Sequence, residues 1–300
     1  MSILALDIGG TFIKWASAEG YQLCEKGKVP TPRKSLDDFT ACIDELFHAG
    51  KYDGIAISLP GTIDPDTGMI SQGGALQYNN NVNMIEFLGS RYHVPVSIEN
   101  DARCAALAEA ENGALKDEEF GLVIVVGTGI GSALVHKGEI LRGSHNYAGE
   151  LSMALCGSAQ DFGFSLLFGN QCGMEGFTQI FRNRLSDQSL TGESFMAMVE
   201  SGHEEASALF ESYCMKFAGV LFTLQFAYDP GTIVIGGGIS ANPLFIEGIQ
   251  KQFEKLFSVF PFKVRHAEIT ASRQGNDANL SGALANYYRG TADKESVPYA

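Results

Sequence analysis

One local pattern occurs twice along this chain: an apolar strand, a glycine-rich turn and a second strand. The first copy reads ILALDIGGTFIKWASAEG at residues 3–20, and the second reads GLVIVVGTGIGSALVHKGEI at residues 121–140. Few residues are identical between the copies, so the repeat is one of architecture. Because helical patterns follow each copy, the repeat predicts two related α/β domains that face each other across a cleft.

The spacing of apolar residues in the rest of the chain predicts alternating helices and strands. Predicted helices cover residues 35–50, 84–92, 101–112, 203–228 and 242–257. Predicted strands cover residues 21–30, 54–61, 95–100, the apolar start of 231–240, and a short stretch near 262–269. Ser35 and Asn242 are the predicted N-caps of their helices, and Pro243 suits the first helical position.

Composition and charge limit the classes of partner. Of the 300 residues, 45% are hydrophobic and 19% are charged, as is typical of a globular protein. Lys and Arg total 21 against 35 Asp and Glu, which gives a net charge of −14. That charge opposes nonspecific attraction to nucleic acids or anionic membranes, so neither is an expected partner.

The N-terminus and the cysteines favour a cytoplasmic location. The start MSILALDIGG has no basic region and too short an apolar run for a signal peptide, and no apolar segment reaches the length of a membrane span. The six cysteines are scattered without a CxxC pair, as expected for reduced thiols in a cytosolic protein.

Three glycine-rich turns follow apolar strands, at DIGGTFIK, GTGIGS and IGGGIS. Glycines allow the backbone to approach a ligand closely and to turn its amides toward an anion. One such turn fits a plain tight hairpin equally well, but three fit a nucleotide spread across a cleft. Neither a Walker A sequence nor a Rossmann GxGxxG with its acidic partner is present, which argues against P-loop and dinucleotide folds.

Asp7 lies at the end of an otherwise apolar strand, where a carboxylate is costly to bury without a partner. A hydrated Mg²⁺ would supply such a partner, and Lys14 is close enough along the chain to reach a phosphate. The alternative is that Asp7 bonds to the amides of its own turn. The residues themselves leave both interpretations open.

Asp101 stands where the apolar run VPVSIEN ends and an alanine-rich helix begins. An aspartate at such a junction is a common N-cap, because its carboxylate accepts hydrogen bonds from the first turn. The carboxyl end of a strand is also where α/β clefts bind ligands. We therefore predict that Asp101 caps the helix and also faces a ligand.

Taken together, these motifs resemble the ROK family of sugar kinases and repressors, within the actin-like ATPase superfamily. The matching segments are DIGGTFIK (7–14), LPGTID (59–64), ENDARCAALAE (99–109), GTGIGSALV (127–135), AGE (148–150), IGGGIS (235–240) and GNDANLSGAL (275–284). The repressors carry a helix-turn-helix before the first glycine-rich turn. Because that turn begins at residue 7 here, we do not expect a DNA-binding regulator.

The resemblance implies two actin-like (ribonuclease H-like) α/β domains around a central cleft. The N-terminal sugar and phosphate domain is expected at residues 1–118, joined by a closing helix at about 278–290. The nucleotide-binding domain is expected at residues 119–277, and residues 291–300 are expected to be a disordered tail. Family members often dimerise through the second domain, so a homodimer is also an expectation.

The resemblance also implies which residues bind ATP and Mg²⁺. DIGGT would surround the β- and γ-phosphates with Asp7 near Mg²⁺, either directly or through water. GTGIG would form a second phosphate loop, and IGGG would lie against the adenosine. The implied ATP and phosphate ligands are Asp7, Gly9, Gly10, Thr11, Lys14, Thr128, Gly129, Gly131, Gly236, Gly237 and Gly238.

On the sugar side, Asn100 and Asp101 match the family's Asn-Asp pair, in which the Asp is the general base toward a sugar hydroxyl. Glu150 matches the Glu of the family's E-x-G-H motif, and Glu175 matches the Glu of its G-C-L-E motif; both would bind sugar hydroxyls. An Asn within YNNNVN matches the sugar contact of W-x-N-V. The following valine favours Asn81, with Asn79 and Asn80 left open.

Two departures from the family pattern bear on the substrate. Met153 occupies the position of the motif histidine, and the zinc-binding C-x-C-G-x-x-G-C is absent, with only Cys156 and Cys172 in that region. A structural zinc needs about four N or S ligands, so no zinc site is predicted. A thioether tolerates an apolar or bulkier substituent better than imidazole does, which favours a β-glucoside or an atypical aldose over plain glucose as the acceptor.

Other functions stay open on the residues alone. N-acetylmannosamine kinase and glucokinase are alternatives within the family. A sugar-sensing binder without catalysis and an ATPase that does not need sugar are more distant alternatives. Sugar-dependent release of ADP distinguishes a kinase from both of the latter.

Overall fold

The computed structural model describes residues 1–158, 160 and 163–295. The chain divides into two compact units, Met1–Asn112 with Asn276–Ala300 and Gly113–Gly275. The boundaries predicted from the sequence are residues 118 and 277. Each unit is built around its own sheet.

Strands and helices alternate along both units. The strands are β1 (Ser2–Ile8), β2 (Phe12–Glu19), β3 (Gln22–Pro30), β4 (Gly54–Leu59), β5 (Thr62–Ile63), β6 (Met69–Gln72), β7 (Val82–Asn83), β8 (Val96–Asn100), β9 (Phe120–Val126), β10 (Ile130–His136), β11 (Glu139–Ile140), β12 (Thr232–Gly236) and β13 (Glu268–Ala271). The helices are α1 (Leu36–His48), α2 (Met84–Tyr92), α3 (Asp101–Asn112), α4 (Phe168–Cys172), α5 (Met174–Arg184), α6 (Gly192–Glu200), α7 (Glu204–Tyr228), α8 (Pro243–Phe257) and α9 (Ala278–Glu295).

The two main sheets share one topology. In the first unit the strand order is β3-β2-β1-β4-β8, with an antiparallel meander at one edge and β4 and β8 parallel to β1. In the second unit the order is β11-β10-β9-β12-β13, with the same antiparallel and parallel pairs. The predicted pair of related α/β domains is therefore confirmed in the topology. The first unit also contains a small antiparallel sheet, β5-β6-β7.

Alternation along β1 places side chains on both faces of the first sheet. Leu4 and Leu6 pack in the core cluster that includes α1 and α2, whereas Ile3 and Ala5 pack against α3 and α9. Gly282 on α9 allows these two helices to pack closely, because a Cβ there would collide with the backbone of α3. Helices α3 and α9 thereby pack side by side on one face of the sheet.

The second unit has a core rich in aromatic residues. Phe177 and Phe181 of α5 pack edge-to-face, and Phe168 of α4 packs edge-to-face on Phe217 of α7. Ring pairs of this geometry contribute beyond their buried area. Across the ranges that the structure describes, no helix is both long and apolar enough to cross a membrane.

Most predicted elements are present, with local differences. Ser35 and Asn242 cap α1 and α8 as predicted, each accepting a backbone N–H from the first turn. The last strand lies at Glu268–Ala271, later than predicted. The closing helix α9 continues to Glu295, so residues 291–295 are helical rather than a disordered tail. Residues 296–300 lie outside the described residues.

Candidate active site

The first glycine-rich turn joins β1 to β2 and is fixed by backbone hydrogen bonds. Gly9 N–H donates to the Phe12 carbonyl at 3.0 Å. Thr31, which follows β3, donates its hydroxyl to the Gly9 carbonyl at 2.6 Å and its N–H to the Thr11 carbonyl at 3.0 Å. The turn therefore presents a defined backbone, and the Thr11 side chain stays exposed.

Asp7 is bonded to side chains rather than to its own turn. It is 7% exposed, and its Oδ1 accepts from Asn279 Nδ2 at 3.0 Å and from Ser58 Oγ at 3.3 Å. Its Oδ2 lies 3.4 Å from Lys14 Nζ, which also donates to the Asn276 carbonyl at 3.2 Å. The alternative in which turn amides satisfy Asp7 is wrong.

The surroundings of Asp7 suit a hard cation that arrives with phosphate. Mg²⁺ is usually held by one or two carboxylates together with phosphate oxygens, and Asp7 supplies one oriented carboxylate. Across the residues that the structure describes, no group of three or more His, Cys, Asp or Glu side chains could hold a metal ion.

Asn100 is the side chain that caps α3, which corrects the prediction for Asp101. Asn100 Oδ1 accepts from Ala102 N–H at 2.9 Å and from Arg103 N–H at 3.2 Å, and Nδ2 donates to the Gly61 carbonyl at 3.0 Å. Asp101 is instead the first residue of the helix, and its Oδ1 accepts from Ala102 N–H at 2.8 Å. The N-cap is the residue before the first helical residue. Because α3 begins at Asp101, the capping position belongs to Asn100.

Asp101 lies in an environment that disfavours its ionised form. Burial raises the pKa of Asp101 above its ordinary value, and the charge of Asp7 raises it further, whereas the Ala102 N–H lowers it. The two aspartates are therefore close enough to interact electrostatically. A raised carboxyl pKa suits a general base that must accept a proton during turnover.

Beneath Asp101 lies a buried ion pair that the sequence analysis missed. Glu99 and Arg103 are 0% and 2% exposed, and Glu99 Oε1 lies 3.9 Å from Arg103 Nη1. Glu99 Oε1 also accepts from Asn100 N–H at 2.7 Å. The i,i+4 spacing of opposite charges was a visible signal, but it did not reveal that the pair is buried.

The three asparagines of YNNNVN occupy different environments. Asn79 is fully buried, and within the described residues neither amide atom has a hydrogen-bond partner. Asn80 accepts from Gly73 N–H at 2.7 Å. Asn81 is exposed with a φ of 60° and donates its backbone N–H to the Ile70 carbonyl at 2.7 Å. Asn81 as the sugar ligand stays a prediction.

In the second unit, the turn between β9 and β10 contacts the start of α5. Met174 N–H donates to the Gly127 carbonyl at 2.9 Å, and Glu175 N–H donates to the Thr128 carbonyl at 3.0 Å. Gly173 makes this possible, because a Cβ there would lie 2.7 Å from Gly129 Cα. The structure thus joins the predicted phosphate ligand Thr128 to the predicted sugar ligand Glu175.

Glu150 is positioned by a residue that the sequence analysis did not select. Ser132 on β10 is 2% exposed, donates its hydroxyl to the Gly149 carbonyl at 2.6 Å and accepts from Leu151 N–H at 3.0 Å. These bonds hold the residues on either side of Glu150. Ser132 directly follows Gly131, so one strand carries both the end of the glycine-rich turn and the anchor of Glu150.

The third glycine-rich turn follows β12 and requires glycine at its centre. Gly237 has a φ of 94°, and a Cβ there would collide with the Val126 carbonyl. At Gly238, by contrast, a Cβ would meet no atom within 4 Å, and the same holds for Gly127 and Gly129. Open space beside loop glycines of this kind can accept a phosphate or a sugar ring.

Met153, which the resemblance aligns with the motif histidine, is 66% exposed and ends a short 3-10 turn that follows Glu150. The six cysteines are free thiols: Cys24 is exposed, Cys42 and Cys156 are half-buried, and Cys104, Cys172 and Cys214 are buried. The absence of a zinc site stays a prediction.

The chain is similar to sugar kinases along its whole length. The ROK family matches residues 3–288. A beta-glucoside kinase of Klebsiella pneumoniae is 30% identical over 302 residues, covering 96% of this chain and 96% of that protein. An N-acetyl-D-glucosamine kinase of Vibrio atlanticus is 30% identical over 312 residues, covering 92% of this chain and 96% of that protein.

A solved structure has the same fold. The crystal structure of a ROK family protein from Streptococcus pneumoniae TIGR4, in complex with sucrose, matches with a TM-score of 0.89 and 30% sequence identity. The match covers 98% of this chain and 100% of that chain.

Proposed function

The chain belongs to the ROK family, and on that premise we propose that it phosphorylates a primary hydroxyl, O6, of a β-glucoside or hexose, with Asp101 as the general base. Its full-length relatives are named sugar kinases, so the chain is an ATP:sugar phosphotransferase.

The observation that carries the proposal is the environment of Asp101. Its carboxylate stands at the start of α3 with a pKa raised by burial and by Asp7. During attack of the sugar oxygen on the γ-phosphorus, Asp101 would accept the hydroxyl proton. Asn100, bonded to both the first turn of α3 and the Gly61 carbonyl, would hold this strand end in place.

The glycine-rich turns would supply the phosphate contacts. In phosphoryl transfer the protein mainly positions groups and offsets charge. The turn at Gly9, Gly10 and Thr11 would bind phosphate through backbone amides, and Lys14 would add a positive charge. Mg²⁺ bound with ATP would neutralise phosphate charge, with Asp7 as its protein ligand.

In the second unit, the open faces beside Gly129 and Gly238 support contacts to the nucleotide. Thr128 and Gly131 belong to the same phosphate loop in the proposal, and Gly236 and Gly237 lie beside the adenosine. The space at Gly129 could be filled by a methyl group without a clash, which makes it a direct test position.

The proposed sugar ligands are Asn81, Asn100, Asp101, Glu150 and Glu175. The thioether of Met153 is exposed, two residues from the anchored Leu151. Because a thioether is flexible and apolar, it could accommodate a substituent on the sugar, such as the aglycone of a β-glucoside. The similarity to a beta-glucoside kinase supports the same acceptor, whereas an N-acetylated hexosamine is the second candidate, supported by the other relative.

A panel of sugars tests the acceptor. Cellobiose, glucose, allose, N-acetylmannosamine and N-acetylglucosamine are incubated with ATP and Mg²⁺, and ADP release is measured. We expect the highest kcat/KM with cellobiose. A higher value with a free or N-acetylated hexose contradicts the β-glucoside assignment, and ADP release without sugar contradicts a sugar kinase.

We also propose a cytoplasmic location and a homodimer. The exposed apolar side chains Phe226, Val259 and Phe262 of the second unit support self-association. Sedimentation velocity tests the dimer: a single species with the mass of one chain at micromolar concentration contradicts it.

A further inference from the structure

The segment between β3 and α1 is held against the first glycine-rich turn. Thr31 bonds to both sides of that turn through its N–H and its hydroxyl, as described above. The carbonyl of Pro32 accepts the Tyr78 hydroxyl at 2.8 Å, and Ser35 caps α1. The backbone on either side of Arg33 is therefore fixed relative to the turn.

The guanidinium of Arg33 lies beside Gly10 of this turn. A Cβ added to Gly10 would be 3.6 Å from Arg33 Nη2 and 3.3 Å from the Cβ of Ala75. Arg33 is exposed, so its N–H donors are accessible to a ligand. The turn, the Arg33 side chain and the loop that carries Ala75 therefore meet at Gly10.

The positive charge of Arg33 is not neutralised by a neighbouring carboxylate. Lys14 of β2 lies 3.4 Å from Asp7 Oδ2, and Lys26 of β3 bonds to Asp277 Oδ2 at 2.7 Å. Arg33, by contrast, forms no ion pair within the part of the chain that the structure describes. The net charge of the chain is −14, so an unpaired guanidinium beside a glycine-rich turn is a local site for an anion. Its planar donors match two oxygens of a phosphate.

The neighbours of Arg33 include the loop of the predicted sugar contacts. Ala75, which lies beside the turn, and Tyr78, which bonds to Pro32, belong to the loop that carries the asparagines of YNNNVN. In a kinase the γ-phosphate is the phosphate nearest the acceptor. A basic side chain that touches both the phosphate turn and the acceptor loop therefore suits the γ-phosphate better than the α- or β-phosphate.

We propose that Arg33 binds the γ-phosphate of ATP and stabilises the phosphoryl group during its transfer, an inference that rests on the proposed function. As the sugar oxygen bonds to the γ-phosphorus, the bond to the β-phosphate oxygen breaks and ADP leaves with the electron pair. The hydroxyl proton passes to Asp101. Negative charge on the equatorial oxygens of the transferring group is offset by the Arg33 guanidinium.

Steady-state kinetics of Arg33→Ala with the best acceptor of the sugar panel tests the role in transfer. We expect kcat to fall by roughly 100-fold or more, as for loss of one donor to developing charge, with the KM for sugar within a few-fold of wild type. Arg33→Lys should recover part of kcat, because it keeps the charge but not the planar donors. Lys34→Ala is the matched control, because it removes an exposed positive charge at the next position, and it should match wild type.

Isothermal titration calorimetry tests the contact without turnover. The probes are AMPPNP, which carries a γ-phosphate that is not transferred, and ADP, each with Mg²⁺. Arg33→Ala should weaken the binding of AMPPNP by roughly tenfold or more, as for loss of a hydrogen bond to a charged group. The binding of ADP should stay within a few-fold of wild type.

The outcomes separate the role of Arg33 from the proposed function. Unchanged AMPPNP affinity in Arg33→Ala overturns the γ-phosphate contact whether or not the protein phosphorylates a sugar, and so does an equal loss of affinity for AMPPNP and ADP. A kcat within a few-fold of wild type, or a loss that Lys34→Ala reproduces, overturns the role in transfer. Wild type that binds AMPPNP but releases no ADP with any sugar overturns the proposed function instead, and the binding comparison still decides whether Arg33 contacts the γ-phosphate.

Discussion

Ser132→Ala is expected to weaken the corner that carries Glu150. The Ser132 hydroxyl bonds to the Gly149 carbonyl at 2.6 Å and to Leu151 N–H at 3.0 Å, and it is 2% exposed. Alanine removes both bonds, and the Leu151 N–H keeps its bond to the Gly149 carbonyl at 2.8 Å. Because each lost hydrogen bond contributes about 0.5–1.5 kcal/mol net, we expect the free energy of unfolding to fall by about 1–3 kcal/mol.

Urea unfolding measures this loss, and steady-state kinetics measures its effect on the site. We expect the KM for sugar to rise more than the KM for ATP, since the displaced corner carries Glu150. Ser258→Ala is the matched control, because the same hydroxyl is removed from an exposed position where it donates to the Lys255 carbonyl. That control should change stability by less than about 0.5 kcal/mol.

The result that would refute the reasoning is a Ser132→Ala protein as stable as the Ser258→Ala control with an unchanged KM for sugar. A stability loss with equal increases in both KM values would refute the specific link to Glu150. In that case Ser132 would act on the whole unit rather than on one corner.

Three further predictions concern charge, open space and the asparagine register. Burial raises the pKa of Asp101, so its ionised form lowers the free energy of unfolding above the folded-state pKa. Asp101→Asn should therefore resist urea better than wild type at pH 7. An advantage that did not shrink as the pH falls toward about 4 would contradict this. Gly129→Ala should fold normally, because its Cβ meets no protein atom, and it should raise the KM for ATP, because the added methyl group would occupy the proposed phosphate space. Gly219→Ala, at an equally open position on α7, should leave the KM for ATP unchanged. Equal effects of the two substitutions would argue against the phosphate loop. Asn81→Ala should raise the KM for sugar without changing the stability of the protein. If Asn79→Ala raised this KM and Asn81→Ala did not, the sugar contact would be assigned to Asn79.

The architecture was predictable because its signals are local. The repeated strand, glycine turn and strand require only a period of two and a turn residue, and both hairpins occur where the pattern placed them. The caps Ser35 and Asn242 follow from side chains that bond within one helical turn. Such signals do not depend on distant parts of the chain.

The parts that sequence reasoning missed depend on distant contacts or on a shift of one residue. Asn279, in the first turn of the closing helix α9, donates to Asp7 from 272 residues away in the sequence, and no local pattern pairs these two positions. The sequence around Ser132 predicts only a strand, and its bond to the Gly149 carbonyl depends on a segment 17 residues later in the chain. At the start of α3, Asn100 and Asp101 are both good caps, and only the helix start decides between them.

At the start of α3, helix capping and the proposed proton transfer belong to two different residues, although the sequence predicted both for Asp101. Asn100 Oδ1 accepts from the N–H groups of Ala102 and Arg103, and Asp101 Oδ1 accepts from that of Ala102. Because Asn100 supplies the cap, the helix does not depend on Asp101 for capping, and its carboxylate can serve as a base. Its raised pKa then reflects burial and the neighbouring Asp7 rather than a structural hydrogen-bond network.

The most direct test of the central claim is sugar phosphorylation by Asp101→Asn. With the best acceptor of the panel and saturating ATP and Mg²⁺, we expect kcat to fall by roughly 100-fold or more, the usual contribution of a general base. The KM values should stay within a few-fold, and the exposed Asp66→Asn should match wild type. A kcat for Asp101→Asn within a few-fold of wild type would contradict the assignment of Asp101 as the base.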